Sequence, residues 1–155
     1  MANHEFLRIG WQEASEKCEK LAKKIDFQPE IIIGISRGGL VPARILSDVM
    51  DIKNLGILGL KFYKGIGKTD DKPAVTQDLA IEIQGRKILI VDDIADSGRS
   101  LVFAKEYLEK KNPAEIRIAT IHYKESSLVK PDYYLEETKA WVVYPWESHE
   151  AERPT

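Results

Sequence analysis

The run Ile88-Leu89-Ile90-Val91-Asp92-Asp93-Ile94-Ala95-Asp96-Ser97-Gly98-Arg99-Ser100 decides the reading of this chain. An apolar, mostly β-branched segment drives into two adjacent acids, Asp92 and Asp93. Such a segment reads as a strand covered on both faces. A third acid, Asp96, opens a run of small polar residues, and residues 101–110 then return to amphipathic helical spacing. The order is buried strand, acidic edge, Gly- and Ser-bearing turn, helix start. A helix start offers unpaired N–H groups, and small side chains let an anion approach them. Carboxylates beside it would repel a simple anion. The pattern suits a ligand with a phosphate at one end and hydroxyls or a bound cation at the other. A phosphorylated sugar with a magnesium ion meets that description.

Outward from this stretch the chain alternates. Residues 11–25 space Ala14, Cys18, Leu21, Ala22 and Ile25 along one helical face. Residues 31–35 form a continuous apolar strand run, Ser36-Arg37-Gly38-Gly39 a turn, and residues 40–50 a second helix. Residues 54–62, 87–92 and 116–123 read as further strands, and Asn112-Pro113 stops the helix between the last two. This alternation predicts an α/β fold: a mainly parallel twisted sheet flanked by helices, in one domain over residues 1–155. Ligands of such sheets sit at the carboxyl edge, near a topological switch point. Both residues 36–39 and 92–100 fall there. Residues 63–80, polar and Gly-bearing, read as a structureless segment, either a flexible lid or disordered. Residues 131–146, rich in aromatics, read as short extra strands with no further strand–helix unit.

Composition narrows the function. The 155 residues are 43% hydrophobic and 31% charged, with a formal charge of -2. That balance gives no ground for nucleic acid or an anionic membrane as partner. The single cysteine, Cys18, forbids a disulfide within the chain and fits a reducing compartment. No basic-then-apolar leader pattern opens the sequence, and no apolar run reaches membrane-spanning length, so a cytoplasmic location is expected.

Several phosphate and metal motifs fail on spacing. Gly34 and Gly39 have the gap of a Walker loop, but Leu40 and Val41 follow where Lys and Ser or Thr are required. Ser36 occupies the second glycine position of a dinucleotide fingerprint. Ile94 or Ala95 breaks the alternating acids of a calcium loop. A phosphoacceptor receiver domain also opens with strand then Asp-Asp, but needs a later strand ending in aspartate. Here the later strand ends His122-Tyr123-Lys124.

Residues 91–100 resemble the phosphoribosyl pyrophosphate signature of type I phosphoribosyltransferases. The likeness covers roughly residues 31–146. Ser36-Arg37-Gly38-Gly39-Leu40-Val41-Pro42 and Trp141-Val142-Val143-Tyr144-Pro145-Trp146 make it similar to the purine salvage branch, the microbial xanthine/guanine/hypoxanthine phosphoribosyltransferases. The resemblance implies the type I fold with a small C-terminal base-binding hood at about residues 124–147. It implies transfer from Mg2+-bound phosphoribosyl pyrophosphate to a free 6-oxopurine, giving a nucleoside 5′-monophosphate and pyrophosphate. Residues Asp96, Ser97, Gly98, Arg99 and Ser100 would wrap the 5′-phosphate. Asp92 and Asp93 would hold the ribose hydroxyls, with Asp93 at the magnesium ion. Asp96 would also stand near purine N7 and assist proton movement. Ser36, Arg37, Gly38 and Gly39 would form the pyrophosphate loop, with a non-proline cis peptide and with Arg37 neutralising the leaving group. The segment at 63–80 would be the water-excluding lid.

Lys124 follows what reads as the last parallel strand, and the resemblance gives it the purine O6. Trp141 would stack on the base, and the backbone of Val142 would read its 2-position. Trp146 reads at least as well as hydrophobic cover for the sheet end, and Trp11, His4, His122 and His149 as structural or surface residues. The resemblance further implies a homodimer or homotetramer. Two alternatives share the fold: a phosphoribosyltransferase for another base, and a ligand-sensing regulator without turnover. Loss of Asp92-Asp93 or of the pyrophosphate loop would favour the regulator, and both are present.

Overall fold

The computed structural model describes residues 5–64 and 71–153. The elements run β1 (Phe6–Arg8), α1 (Trp11–Lys24), β2 (Ile31–Ser36), α2 (Leu40–Val49), β3 (Leu55–Lys64), β4 (Asp71–Gln77), β5 (Lys87–Ala95), α3 (Arg99–Glu109), β6 (Glu115–Tyr123), β7 (Tyr133–Glu137) and β8 (Trp141–Val143). Two short 3-10 turns, Pro145–Glu147 and Glu150–Glu152, follow. The main sheet has the order β4-β3-β2-β5-β6-β7. Every neighbouring pair in it is parallel except β3 with β4. The expected parallel α/β sheet is therefore present.

Two-sided burial explains the apolar strand runs. Side chains alternate across each strand. Ile32, Leu89, Val91, Ala119 and Ile121 face one core, under Ala14, Cys18, Leu21 and Ala22 of α1 and Ala43 and Leu46 of α2. Ile31, Ile33, Ile35, Ile88 and Ile90 face the other, under Leu101, Ala104 and Leu108 of α3. The α1 positions are those read from helical spacing. Burial holds the Cys18 thiol up at about 12, so it is a packed, unreactive core residue. Helix α3 ends at Glu109; Asn112, in the left-handed region with φ 59°, then turns the chain before Pro113.

The chain leaves β2 toward β3 on one side and returns to β5 on the other. That reversal opens a crevice at the carboxyl ends of β2 and β5. The turns after both strands, residues 36–39 and 96–98, meet there.

Three sequence expectations change. Residues 63–64 and 71–77 are not structureless, whereas 78–80 belong to no helix or strand. Tyr63 and Lys64 complete β3, and Asp71–Gln77 pairs back antiparallel through Phe62 with Pro73 and Leu60 with Val75. The polar composition of that arm hid a strand that depends on its partner, and its proline is tolerated at a sheet edge. The remainder of the lid expectation, residues 65–70, lies outside the described residues. Second, β7 adds parallel to β6, so the strand before Lys124 is not the last parallel one. Third, Phe6–Arg8 forms a strand that sequence reading left unassigned. It pairs with β8, placing Phe6 opposite Trp141. Among the described residues no helix is long and apolar enough to cross a membrane.

Candidate active site

The signature stretch folds as its pattern requires. Strand β5 is fully buried from Ile88 through Val91, then rises to half-buried Asp92 and to Asp93, which is 7% exposed. The Asp93 N–H donates to Asp92 Oδ1 at 2.8 Å. Burial pushes both carboxyls above the usual aspartate range, and the charge of Asp93 adds to the rise at Asp92. Helix α3 starts at Gly98, whose φ of 82° is left-handed. A Cβ there would lie 2.4 Å from Ser127 Oγ and 2.9 Å from Leu128 N, so glycine is needed on both counts. The Leu128 N–H donates to the Ser97 carbonyl at 2.8 Å, pinning the turn to the loop after β6. The Arg99 N–H donates to Ser97 Oγ at 3.3 Å, and the Arg99 guanidinium lies 4.6 Å over the Phe62 ring of β3. Ser97 is exposed and Ser100 half-buried.

Across the crevice, the Ser36–Arg37 peptide is cis. Gly38 lies against Asp93: a Cβ at Gly38 would be 2.6 Å from Asp93 Oδ2. Arg37 Nη2 donates to both carboxylate oxygens of Glu150, at 2.9 and 3.0 Å.

A cleft of about 390 Å³ opens beside these turns. Asp93, Ile94, Asp96, Lys124, Trp141 and Val142 line it, and Glu147, Glu150, Ala151 and Arg153 close its C-terminal side. Lys124 Nζ stands 3.3 Å from Asp96 Oδ1. Trp141 is 55% exposed at the mouth, its ring 6.3 Å from that of Phe6. Of the residues expected from sequence, Asp93, Asp96, Lys124, Trp141 and Val142 line this cleft, while residues 36–39, Asp92 and residues 97–100 do not line it.

Four neighbours of the site carried no such expectation. Trp146 Nε1 donates to Asp93 Oδ2 at 3.1 Å, and Tyr144 OH donates to the Asp93 carbonyl at 3.1 Å. Glu147 and Glu150 border the cleft, and burial pushes the Glu147 carboxyl up. Glutamates in a charged C-terminal stretch give no signal of their own. The tryptophan stood next to the Trp141-Val142 motif, but its sequence context did not separate hydrogen bonding from cover.

Behind Tyr144 lies His122, fully buried, with Nδ1 2.7 Å from the Tyr144 hydroxyl. The Nδ1–hydroxyl contact ties the imidazole to Tyr144 in either neutral tautomer. Among the described residues Nε2 has no hydrogen-bond partner; it lies 3.6 Å from Glu136 Oε2, while Lys17 Nζ donates to Glu136 Oε1. Burial drives the imidazole from 6.5 down to about 4, outweighing the upward pull of Glu136. The unfolded chain then binds a proton more readily than the folded one between those values. The stability due to neutral His122 is complete above pH 6.5 and is lost as pH falls toward 4, a change of about 3 kcal/mol. Glu136, held below its usual range first by Lys17, acts in the same direction at lower pH. Asp92 and Asp93, held high, act oppositely. The His122→Gln variant isolates the histidine. Denaturant unfolding at pH 7 and pH 4.5 should show the wild type losing more stability than the variant, and equal losses would contradict a neutral buried imidazole.

Residues 10–153 match the phosphoribosyl transferase domain, and the chain belongs to that family. Within it the chain stands on the purine branch. It is 30% identical to the xanthine-guanine phosphoribosyltransferase of Idiomarina loihiensis, over 96% of this chain and 90% of that protein. It is similar to the crystal structure of a purine phosphoribosyltransferase from Pyrococcus horikoshii, with a TM-score of 0.86, 34% identity and 97% of each chain covered. The xanthine-guanine-hypoxanthine enzyme of Helicobacter pylori shares the fold, with a TM-score of 0.79 at 23% identity over 96% of this chain and 97% of that one.

Proposed function

We propose that this protein transfers a 5-phosphoribosyl group from phosphoribosyl pyrophosphate to a 6-oxopurine, releasing pyrophosphate and a nucleoside 5′-monophosphate. The observation that carries the reading is a single crevice with an acidic strand end, a glycine-started helix and an aromatic-lipped cleft. Purine relatives over nearly the whole chain support it.

In this reading the N-terminus of α3, with Ser97 and Ser100, holds the 5′-phosphate through N–H groups and hydroxyls. Asp92 and Asp93 take the ribose hydroxyls. Two crowded carboxylates whose burial disfavours their charge suit a divalent cation, which lowers that cost. Asp93 would hold magnesium together with substrate oxygens. Bound there, magnesium supplies charge neutralisation for the departing diphosphate. Arg37, which already grips one anion in the Glu150 carboxylate, takes the diphosphate. Asp96, beside Lys124, handles the proton at purine N7. Lys124 donates to O6, Trp141 stacks on the base, and the Val142 backbone reads the 2-position. The β3–β4 arm, joined to the α3 start by Arg99 over Phe62, would limit water at an oxocarbenium-like transition state. A homo-oligomer belongs to the same proposal.

The test is a base panel. With magnesium and phosphoribosyl pyrophosphate, guanine, xanthine or hypoxanthine should yield nucleotide, and adenine, orotate and uracil should not. No turnover with any base would overturn the enzymatic reading, and turnover with adenine alone would overturn the role of Lys124.

A further inference from the structure

Asp93 is held from more directions than a ligand-binding loop requires. Its carboxylate abuts Gly38 on one side, where even a Cβ would clash at 2.6 Å. From the C-terminal segment it receives the Trp146 indole N–H at 3.1 Å, and its carbonyl receives the Tyr144 hydroxyl at 3.1 Å. We propose that Trp146 and Tyr144 are positioning residues that aim the Asp93 carboxylate at magnesium phosphoribosyl pyrophosphate, tying the base-binding hood to the sugar end of the site. The inference rests on the assignment of Asp93 made above.

The two aromatic side chains are themselves fixed. Their rings stack with centroids 4.9 Å apart and planes within 5°. Trp11 packs edge-on against Trp146 at 6.1 Å. Tyr144 is 1% exposed, and buried His122 holds its hydroxyl from behind at 2.7 Å. A tryptophan serving only as cover would need its ring buried, with the N–H in water or on any nearby carbonyl. This N–H instead meets the one carboxylate shared by strand end, phosphate loop and cleft. Such a bond to a charged oxygen is among the stronger hydrogen bonds, and it fixes one oxygen so that the other has a defined direction. Both positioning residues lie just beyond β8, which carries Trp141 and Val142. The segment proposed to hold the base therefore also holds the sugar-binding acid.

The experiment compares wild type with Trp146→Phe, which keeps a ring and removes the donor, and Tyr144→Phe, which removes one hydroxyl. Asp93→Asn serves as reference. Binding of magnesium phosphoribosyl pyrophosphate without any base is measured by titration calorimetry, alongside steady-state kinetics and unliganded melting temperature. Trp146→Phe should weaken this binding about five- to tenfold. Its KM for phosphoribosyl pyrophosphate should rise in parallel, with KM for the purine within about twofold of wild type. Tyr144→Phe should shift the same quantities in the same direction by a smaller factor, and it carries the test if Trp146→Phe does not fold. Unchanged binding in a folded variant, with Asp93→Asn inactive, would overturn the positioning role and leave the proposed function standing. A uniform loss that tracks a lower melting temperature would reduce both residues to cover and overturn the inference too. Full activity in Asp93→Asn would overturn the assignment of Asp93 itself.

Discussion

Replacing Gly39 with alanine is expected to lower the unfolding free energy by about 3–5 kcal/mol and to abolish nucleotide formation. The cause is space. Gly39 has φ −85°, which any residue adopts. A Cβ there would stand 2.3 Å from the Val91 carbonyl oxygen and 2.8 Å from both the N and the O of Ile35. These are backbone atoms of β2 and β5, the two central strands, and cannot rotate aside. Gly39 also donates its N–H to the Ile35 carbonyl at 2.7 Å and accepts from Ala43 N–H at 2.9 Å, so the loop and α2 would move with it. Movement of the loop takes Arg37 and Gly38 out of register with Asp93. Gly85 is the control. It has φ 71° with nothing within 4 Å of an added Cβ, so alanine there costs about 1 kcal/mol of backbone strain and spares turnover. Urea unfolding and nucleotide release, measured on both variants, check the contrast. A Gly39→Ala protein as stable as wild type would mean that β2 and β5 are not held this closely.

Asp93→Asn is expected to cut kcat/KM by about 10²–10³ while leaving the protein at least as stable. The amide matches the carboxylate in shape, and its oxygen can still accept from the Trp146 N–H. What it lacks is the charge that the proposed magnesium and ribose contacts require. In the unliganded protein that charge is a burden, because burial holds both Asp92 and Asp93 above their ordinary range. Removing one of two crowded carboxylates relieves desolvation and mutual repulsion. Loss of activity with a retained or raised melting temperature marks a residue kept for function at the expense of stability. A large fall in stability would instead assign Asp93 to the framework.

Much of this architecture could be read along the chain. The helices over Trp11–Lys24, Leu40–Val49 and Arg99–Glu109 follow from apolar spacing, with Gly98 setting the start of the last. The central strands follow from β-branched runs, because a strand covered on both faces needs no polar alternation. The strands that escaped reading are those whose stability comes from a partner. Strand β4 is polar and, among the described residues, pairs with β3 alone, and β1 is three residues that pair with β8 across nearly the whole sequence. Strand β7 was read as an extra strand, but its place in the main sheet came from pairing with β6.

The site divides along the same line. Residues 92–100 announced an acidic edge and an anion-binding turn because a strand end, a turn and a helix start are neighbours in sequence, and local chemistry sets all three. The identity of Ser36, Arg37, Gly38 and Gly39 as a second loop on that edge followed from the same alternation. Trp146 on Asp93 spans 53 positions and Arg37 on Glu150 spans 113. No periodicity carries such pairs. An indole can face a core with its N–H in water or aim it at a carboxylate, and both look alike in sequence. Only the packing of β8 and the segment after it against β5 selects between them, because the direction of a side chain is settled by the neighbours it meets when the sheet closes.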